Sequence, residues 1–284
     1  ISFVTFNLNQ ASNSQGKPFV NPIKSRWFND LAFRKAIAYA IDRKRMKTNI
    51  YRGIGELQYS PIAEQSPYYL SPKQGLKTYS YNPQKARKIL TDAGFQYNSQ
   101  QQLLDKDGNL VKFNILVKSE DQSRIALAVQ VEEDLKNIGI QTDLQTLSFN
   151  TVLQKILAKR DWECYVGNFE AGVVEPNEVA VFWTSNGSFH MFNKNSKSKK
   201  RPITGWKATD WEKEIDELFT SAAREADESK RKQIYGKFQQ IVAEQLPVFF
   251  LVNPISLKAV RNRVENVEYS AVSRFLWNLD ELRL

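Results

Sequence analysis

Histidine and cysteine are almost missing from this chain, which carries one of each in 284 residues. The single thiol, Cys164, has no partner for an intrachain disulfide and cannot build a thiolate metal cluster. It falls in a segment that reads as a buried strand, where an inert core thiol is expected. The single imidazole, His190, stands in a polar stretch and is expected at the surface rather than as a catalytic base. The sequence also has no G-x-S-x-G, no G-x-x-x-x-G-K-[ST] and no G-x-G-x-x-G, so the usual nucleophile elbow and phosphate cradles are missing. No catalytic residue, metal or cofactor is therefore expected. No run of about 18 apolar residues exists, so no segment is long enough to cross a membrane as a helix.

What is present is the composition of a globular protein, with 42% apolar and 25% charged residues. The net charge of +9 comes from Lys and Arg spread along the chain, with local runs at Arg43 to Lys47 and Lys197 to Arg201. Neither run is interleaved with aromatics, so a solvated basic surface is expected and a nucleic-acid partner is not. The chain opens inside a strand pattern (Ile1, Phe3, Val4, Phe6), with no secretory signal peptide, and reads as a fragment of something longer.

From Trp27 to Met46, the residues Phe33, Ala36, Ile37, Ala40 and Ile41 recur at helical spacing, and Asn29 or Asp30 is placed to cap. One inward-packing helix is predicted there, stopped by Gly53 and Gly55. Tyr59 to Tyr81 holds four loop-forming residues (Pro61, Pro67, Pro72, Gly75) and reads as a long ordered loop. Residues 81 to 95 make a short helix capped by Asn82, begun by Pro83 and ended by Gly94. Strand (Val111 to Val117), helix (Gln122 to Asn137), strand (Ile140 to Leu147), helix (Asn150 to Lys159) and strand (Trp162 to Asn168) then alternate, which implies parallel pairing. Thr184 to Thr209 is poor in apolar residues and is expected to be exposed. Helices at Asp210 to Arg224 and Glu228 to Gln245 and a strand at Val248 to Val252 follow. Trp27, Trp183, Trp206, Trp211 and Trp277 are expected to be packing aromatics.

Three segments in this order carry a resemblance. Phe28 to Met46, with Phe-x-Asp, Arg34 and Ile41-Asp42-Arg43, resembles the "F.D..vR.A...aiDR..i" stretch of the extracellular solute-binding proteins of peptide-type ABC importers, the oligopeptide and dipeptide binding family. YNPQKARKILTDAGF resembles its "ydp.kAk.lL.eaG", and the segment from Ile125 through DLKNIGIQTDLQTLSF resembles its "i...lk.iGi.v......f".

The resemblance implies an α/β lobe of the type II periplasmic-binding-protein kind, with a mixed central sheet flanked by helices. On that reading residues 1–10 are a hinge strand, 11–262 the C-terminal ligand-binding lobe, and 263–284 a return segment toward a missing lobe. The implied function is capture of a peptide or peptide-like solute between two lobes and its delivery to ABC permease subunits. The setting would be periplasmic or extracytoplasmic, at the membrane through the permease or a lipid anchor, as a monomer.

The loop FEAGVVEPN follows the carboxyl end of the third parallel strand, where open α/β sheets present ligands, and it resembles the family's "gw..d..dP" loop. Ligand contacts are accordingly expected at Phe169, Glu170, Ala171, Gly172, Val173 and Glu175, with Asn7 as a backbone-orienting group. Peptide binders of the family tend to carry an Asp where this chain has Gly172. Either the ligand lacks a free amine, or Glu170, Glu175 or the missing lobe supplies the counter-charge. A nickel complex or a sugar on the same fold is one alternative, and a hydrolase using Glu170 and Glu175 is the other.

Overall fold

The computed structural model describes residues 1–169, 175–196, 202–255, 257–269 and 277–283. At its centre five strands lie in one sheet: β1 (Ser2–Phe6), β2 (Lys112–Lys118), β3 (Gln141–Leu147), β4 (Cys164–Asn168) and β5 (Val248–Phe250). Their spatial order is β5-β1-β4-β2-β3. β2 pairs parallel with both β3 and β4, as the strand–helix alternation predicts, while β1 runs antiparallel to β4 and β5. The sheet is mixed because β1 and β5 enter from distant parts of the chain. All five residues of β1 are buried, so the segment expected to act as a hinge is built into the central sheet.

Successive side chains of a strand point to opposite faces, and the aromatics sort accordingly. Phe6 stacks on Phe28 at 4.7 Å and meets Phe113 and Phe249 edge-on. On the other face, Phe3 meets Phe182 and Tyr165, and Phe250 lies against Trp183. Cys164 is fully buried in β4, and desolvation pushes its thiol far above the usual range, which leaves it inert as expected.

The single helix predicted over Trp27 to Met46 is three: α1 (Pro22–Asn29), α2 (Leu31–Ala40) and α3 (Arg43–Asn49). The aspartates make the breaks. Asp30 is extended and accepts from the Ala32 amide at 2.7 Å, and Asp42 accepts from the Arg45 amide at 3.0 Å, each capping the helix that follows. Phe33, Ala36, Ile37 and Ala40 are fully buried, as their spacing predicts. Arg43 is buried too: its Nε donates to Phe250 O at 2.6 Å and its Nη1 to Ala38 O at 3.1 Å, and desolvation brings its pKa down to about 10.

α4 (Pro83–Asp92), α5 (Gln122–Lys136) and the one-turn α6 (Phe149–Leu153), which runs on into a π-helical turn at Gln154–Lys159, carry the crossover half of the fold. Gly139 ends α5's connection at φ +84, where an added Cβ would sit 2.6 Å from Gln101 O. α7 (Ala180–Trp183), α8 (Asp210–Arg224) and α9 (Glu228–Gln245) cover the opposite face. The stretch Thr184 to Thr209, expected to be exposed, is partly interior. Its described residues Ser185, His190, Phe192 and Asn193 are buried, because Glu212 and Asp216 of α8 accept from its polar groups. His190 is fully buried, contrary to its expected place at the surface.

Candidate functional site

Because β2, β3 and β4 are parallel, their carboxyl ends meet at one edge of the sheet. Lys118 closes β2, Ser148 and Phe149 follow β3, Asn168 closes β4 and Phe169 follows it. The antiparallel β1 brings Ser2 opposite Asn168 at the same edge.

Phe169 is half-buried. One side of its ring packs on Phe3 and Phe182, with centroids 5.4 and 5.2 Å away, and its amide donates to Ile1 O at 3.1 Å. Glu170, Ala171, Gly172 and Val173 lie outside the described residues.

Glu175 re-enters as a cap of the short turn Pro176–Val179, and both its oxygens are occupied. Oε2 accepts from Arg231 Nη2 at 2.6 Å and Oε1 from the Tyr235 hydroxyl at 2.7 Å, while Arg231 Nη2 also donates to the Tyr68 hydroxyl. Burial, reinforced by the Glu175 carboxylate, pushes the Tyr235 phenol far above its usual range, so it stays a donor. The expected ligand acid is thus already neutralised by a guanidinium from α9.

Asn7 is not brought to this edge. It follows β1 at the other end of the sheet, where Phe6 pairs with Cys164. Its Nδ2 donates to Arg160 O and Trp162 O, both at 3.0 Å, and its Oδ1 accepts from the Asn9 amide at 3.2 Å. Its bonds are to backbone, but a strand length away from Phe169.

Two residues that the pattern did not single out belong to the carboxyl edge. Phe149 is 48% exposed, a large apolar ring facing outward from the first turn of α6. Its amide donates to Glu120 Oε1 at 2.9 Å, and that hydrogen bond leads in holding the Glu120 carboxyl below its usual range. Arg124, in the first turn of α5, is buried, and its Nη2 bridges Asp121 Oδ2 at 3.0 Å and Asn168 Oδ1. Phe149 had a signal in the sequence, an aromatic directly after a strand's carboxyl end. Arg124 had none, because its partner lies in another strand.

Among the described residues, the cavities lie elsewhere. A cavity of about 720 Å³ lined by Asn13, Lys17, Phe19, Lys159 and Arg160, and another of about 510 Å³ lined by Leu8, Arg34, Trp211 and Glu212, lie toward the opposite end of β4. Arg160 there is spent on the carbonyls of Lys194 and Asn195. We place the candidate site at the open edge on chemistry: outward aromatics and a donor at parallel strand ends. Among the described residues no group of three His, Cys, Asp or Glu side chains could hold a metal ion, and no helix is long and apolar enough to cross a membrane.

Residues 1–190 match the family described as bacterial extracellular solute-binding proteins, family 5 Middle. The oligopeptide-binding protein AppA of Bacillus subtilis is 26% identical over 263 residues, covering 91% of this chain and 45% of that protein. Its structure in complex with a nonapeptide superposes with a TM-score of 0.74 at 22% identity, over 100% of this chain and 51% of that one. NikZ from Campylobacter jejuni, in complex with Ni(L-His), gives 0.75 at 18% identity over 100% and 51% of the two chains. MelB from Agrobacterium fabrum, in complex with stachyose, gives 0.78 at 15% identity over 89% and 38%. These likenesses show the type II periplasmic-binding-protein fold, and the chain spans about half the length of the curated relatives it matches.

Proposed function

The chain belongs to the bacterial extracellular solute-binding proteins of family 5, and from that premise we propose that it forms the later lobe of the substrate-binding component of an ABC importer. The solute is a peptide or peptide-like molecule, held against the carboxyl edge of the sheet and delivered to permease subunits. The whole protein works outside the cytoplasm as a monomer, held at the membrane by the permease or by a lipid anchor. Closure of the two lobes follows from solute contacts that favour the closed form.

The observation that carries this reading is the open edge itself, where Asn168, Phe169 and Phe149 lie at or just past the carboxyl ends of parallel strands. Aromatic surface with a few placed polar groups is what a solute site needs. A binder is favoured over a hydrolase because Glu175, one of the two acids a hydrolase would use, is paired with Arg231 and Tyr235. For the same reason Glu175 does not serve a free peptide amine. Glu170 or the other lobe supplies that charge, or the solute has a blocked amino end. Structures of this fold hold a nonapeptide, a nickel complex and an oligosaccharide, so the choice of a peptide rests on the curated relative and not on the fold.

Thermal unfolding of the full two-lobed parent against short peptides with free and with acetylated amino ends tests the proposal, with this chain as control. A ligand that binds only the native state adds about 2.7 kcal/mol at a hundred times its dissociation constant. Peptides of one or both classes should raise the unfolding temperature of the parent. No shift with either class would overturn the peptide reading.

A further inference from the structure

Asn168 ends β4 at the carboxyl edge, exposed to solvent, and its side chain has a fixed sense. Oδ1 accepts from Arg124 Nη2. A guanidinium is a donor with no acceptor capacity, so the amide oxygen must face Arg124 and the amide nitrogen must face away. Among the described residues nothing accepts a hydrogen bond from Asn168 Nδ2.

Arg124 is held firmly in this role. It is 5% exposed, its Nη2 also donates to Asp121 Oδ2 at 3.0 Å, and Asp121 is pinned in turn as the cap of α5, with Oδ1 accepting from the Arg124 amide at 3.0 Å. A guanidinium this deeply buried is expensive to leave unpaired, so it holds on to the Asn168 oxygen. Phe169 is the next residue along, and Phe149 lies past the end of β3, two strands or about 10 Å away. Consecutive strand residues face opposite ways, so the Asn168 amide lies at the strand end on the face of α5, and the Phe169 ring lies on the other face with Phe3 and Phe182.

We infer that Asn168 is a ligand contact that offers its side-chain N–H₂ to an oxygen acceptor of the solute, and that Arg124 is the positioning residue that sets the direction of that amide. This rests on the solute-binding reading above and adds to it a hydrogen-bonding requirement. A peptide carbonyl meets it, and so does a sugar oxygen.

The test is calorimetric titration of the full-length parent with two probes, a mixture of free and acetylated short peptides and, separately, stachyose. The probe that binds identifies the source of the oxygen. Asn168→Asp keeps the size and the Arg124 contact but turns an acceptor toward the solute, so affinity should fall at least tenfold, roughly twice the effect of merely losing one hydrogen bond in Asn168→Ala, about fivefold. Arg124→Lys frees the amide and should weaken binding part of the way. Combined with Asn168→Ala it should add nothing further, a non-additivity that general damage to the fold would not produce. If Arg124→Lys fails to fold, the two Asn168 variants decide alone.

Asn168→Asp binding as tightly as wild type, while Phe149→Ala binds more weakly, would overturn this assignment and leave the site in place. Wild-type affinity in both variants would overturn the site itself. A wild-type parent that takes neither probe would overturn the peptide reading and this assignment together.

Discussion

The two polar clusters of this chain use similar side chains to opposite ends. Between the 184–196 stretch and α8, His190 and Glu212 are fully buried, 2.7 Å apart from Nε2 to Oε1. His190 Nδ1 lies 3.0 Å from Phe182 O, and Glu212 also accepts from Asn193 Nδ2 and from the amide and hydroxyl of Thr209. The donors of that cluster are answered from within the protein, Asn193 Nδ2 by Lys207 O as well as by Glu212, so none is left over for a ligand. At the carboxyl edge the inner bonds are equally well made, from Arg124 to Asp121 and from Arg231 to Glu175, but among the described residues Asn168 is answered on one side only. A saturated buried network holds the fold, whereas an exposed group pinned on its inner side and open on its outer side is what the proposed solute site requires.

The largest way to break the contrast is to open the closed cluster. Glu212→Ala leaves His190 Nε2 buried without its acceptor, takes one of the two acceptors of Asn193 Nδ2 and removes the partner of the exposed Thr209, and denaturant unfolding should show a loss of about 3–5 kcal/mol. A loss below about 1 kcal/mol would mean that the network is not holding α8 to the preceding stretch.

The same cluster predicts a pH dependence. Burial alone would raise the Glu212 carboxyl, but the hydrogen bonds from His190 and Thr209 outweigh it and hold the group below its usual range. A carboxyl with a lowered folded value binds fewer protons folded than unfolded. Its stabilisation is therefore present above the ordinary glutamate range and is lost as pH falls through the lowered value. Glu212→Gln should accordingly flatten the acid limb of the stability curve between about pH 5 and pH 3.

Glu175→Ala is the intermediate case. Its pair with Arg231 is about a third exposed on each side, so stability should drop by only about 1 kcal/mol. Spectrophotometric titration should show the Tyr235 phenol ionising at lower pH in this variant, since the carboxylate that helps to raise it is gone. Phe149→Ala should have the smallest effect on stability, within about 0.5 kcal/mol, because the ring is 48% exposed. Its effect should appear instead as weakened solute binding by the parent.

The legibility of the sequence follows the range of the interactions. α8 and α9 appear at the bounds their caps and apolar spacing predict, Asp210–Arg224 and Glu228–Gln245, since Thr209 and Asp227 cap within three residues of themselves. The β2-α5-β3-α6-β4 alternation is legible for the same reason, because strand period, cap and terminating glycine are all local. Asp30 was one of the two caps the sequence offered, and it does cap α2; the break at Asp42 was hidden inside a continuous apolar stripe, where a cap and a surface acid look alike.

The site was the hardest part to read. Asn168 meets Arg124 from 44 residues away and Glu175 meets Arg231 from 56, and pairings over such separations leave no periodicity in the chain. His190 went the same way. A polar neighbourhood in sequence became an interior one in space because Glu212, 22 residues on, folds over it.

Hydrogen exchange of the full-length parent, with and without a saturating mixture of short peptides, tests the central claim most directly. The account predicts protection concentrated at residues 118–121, 149 and 168–169, at the carboxyl ends of β2, β3 and β4. Protection confined instead to Asn13, Lys17, Phe19, Lys159 and Arg160, around the cavity at the other end of the sheet, would contradict it.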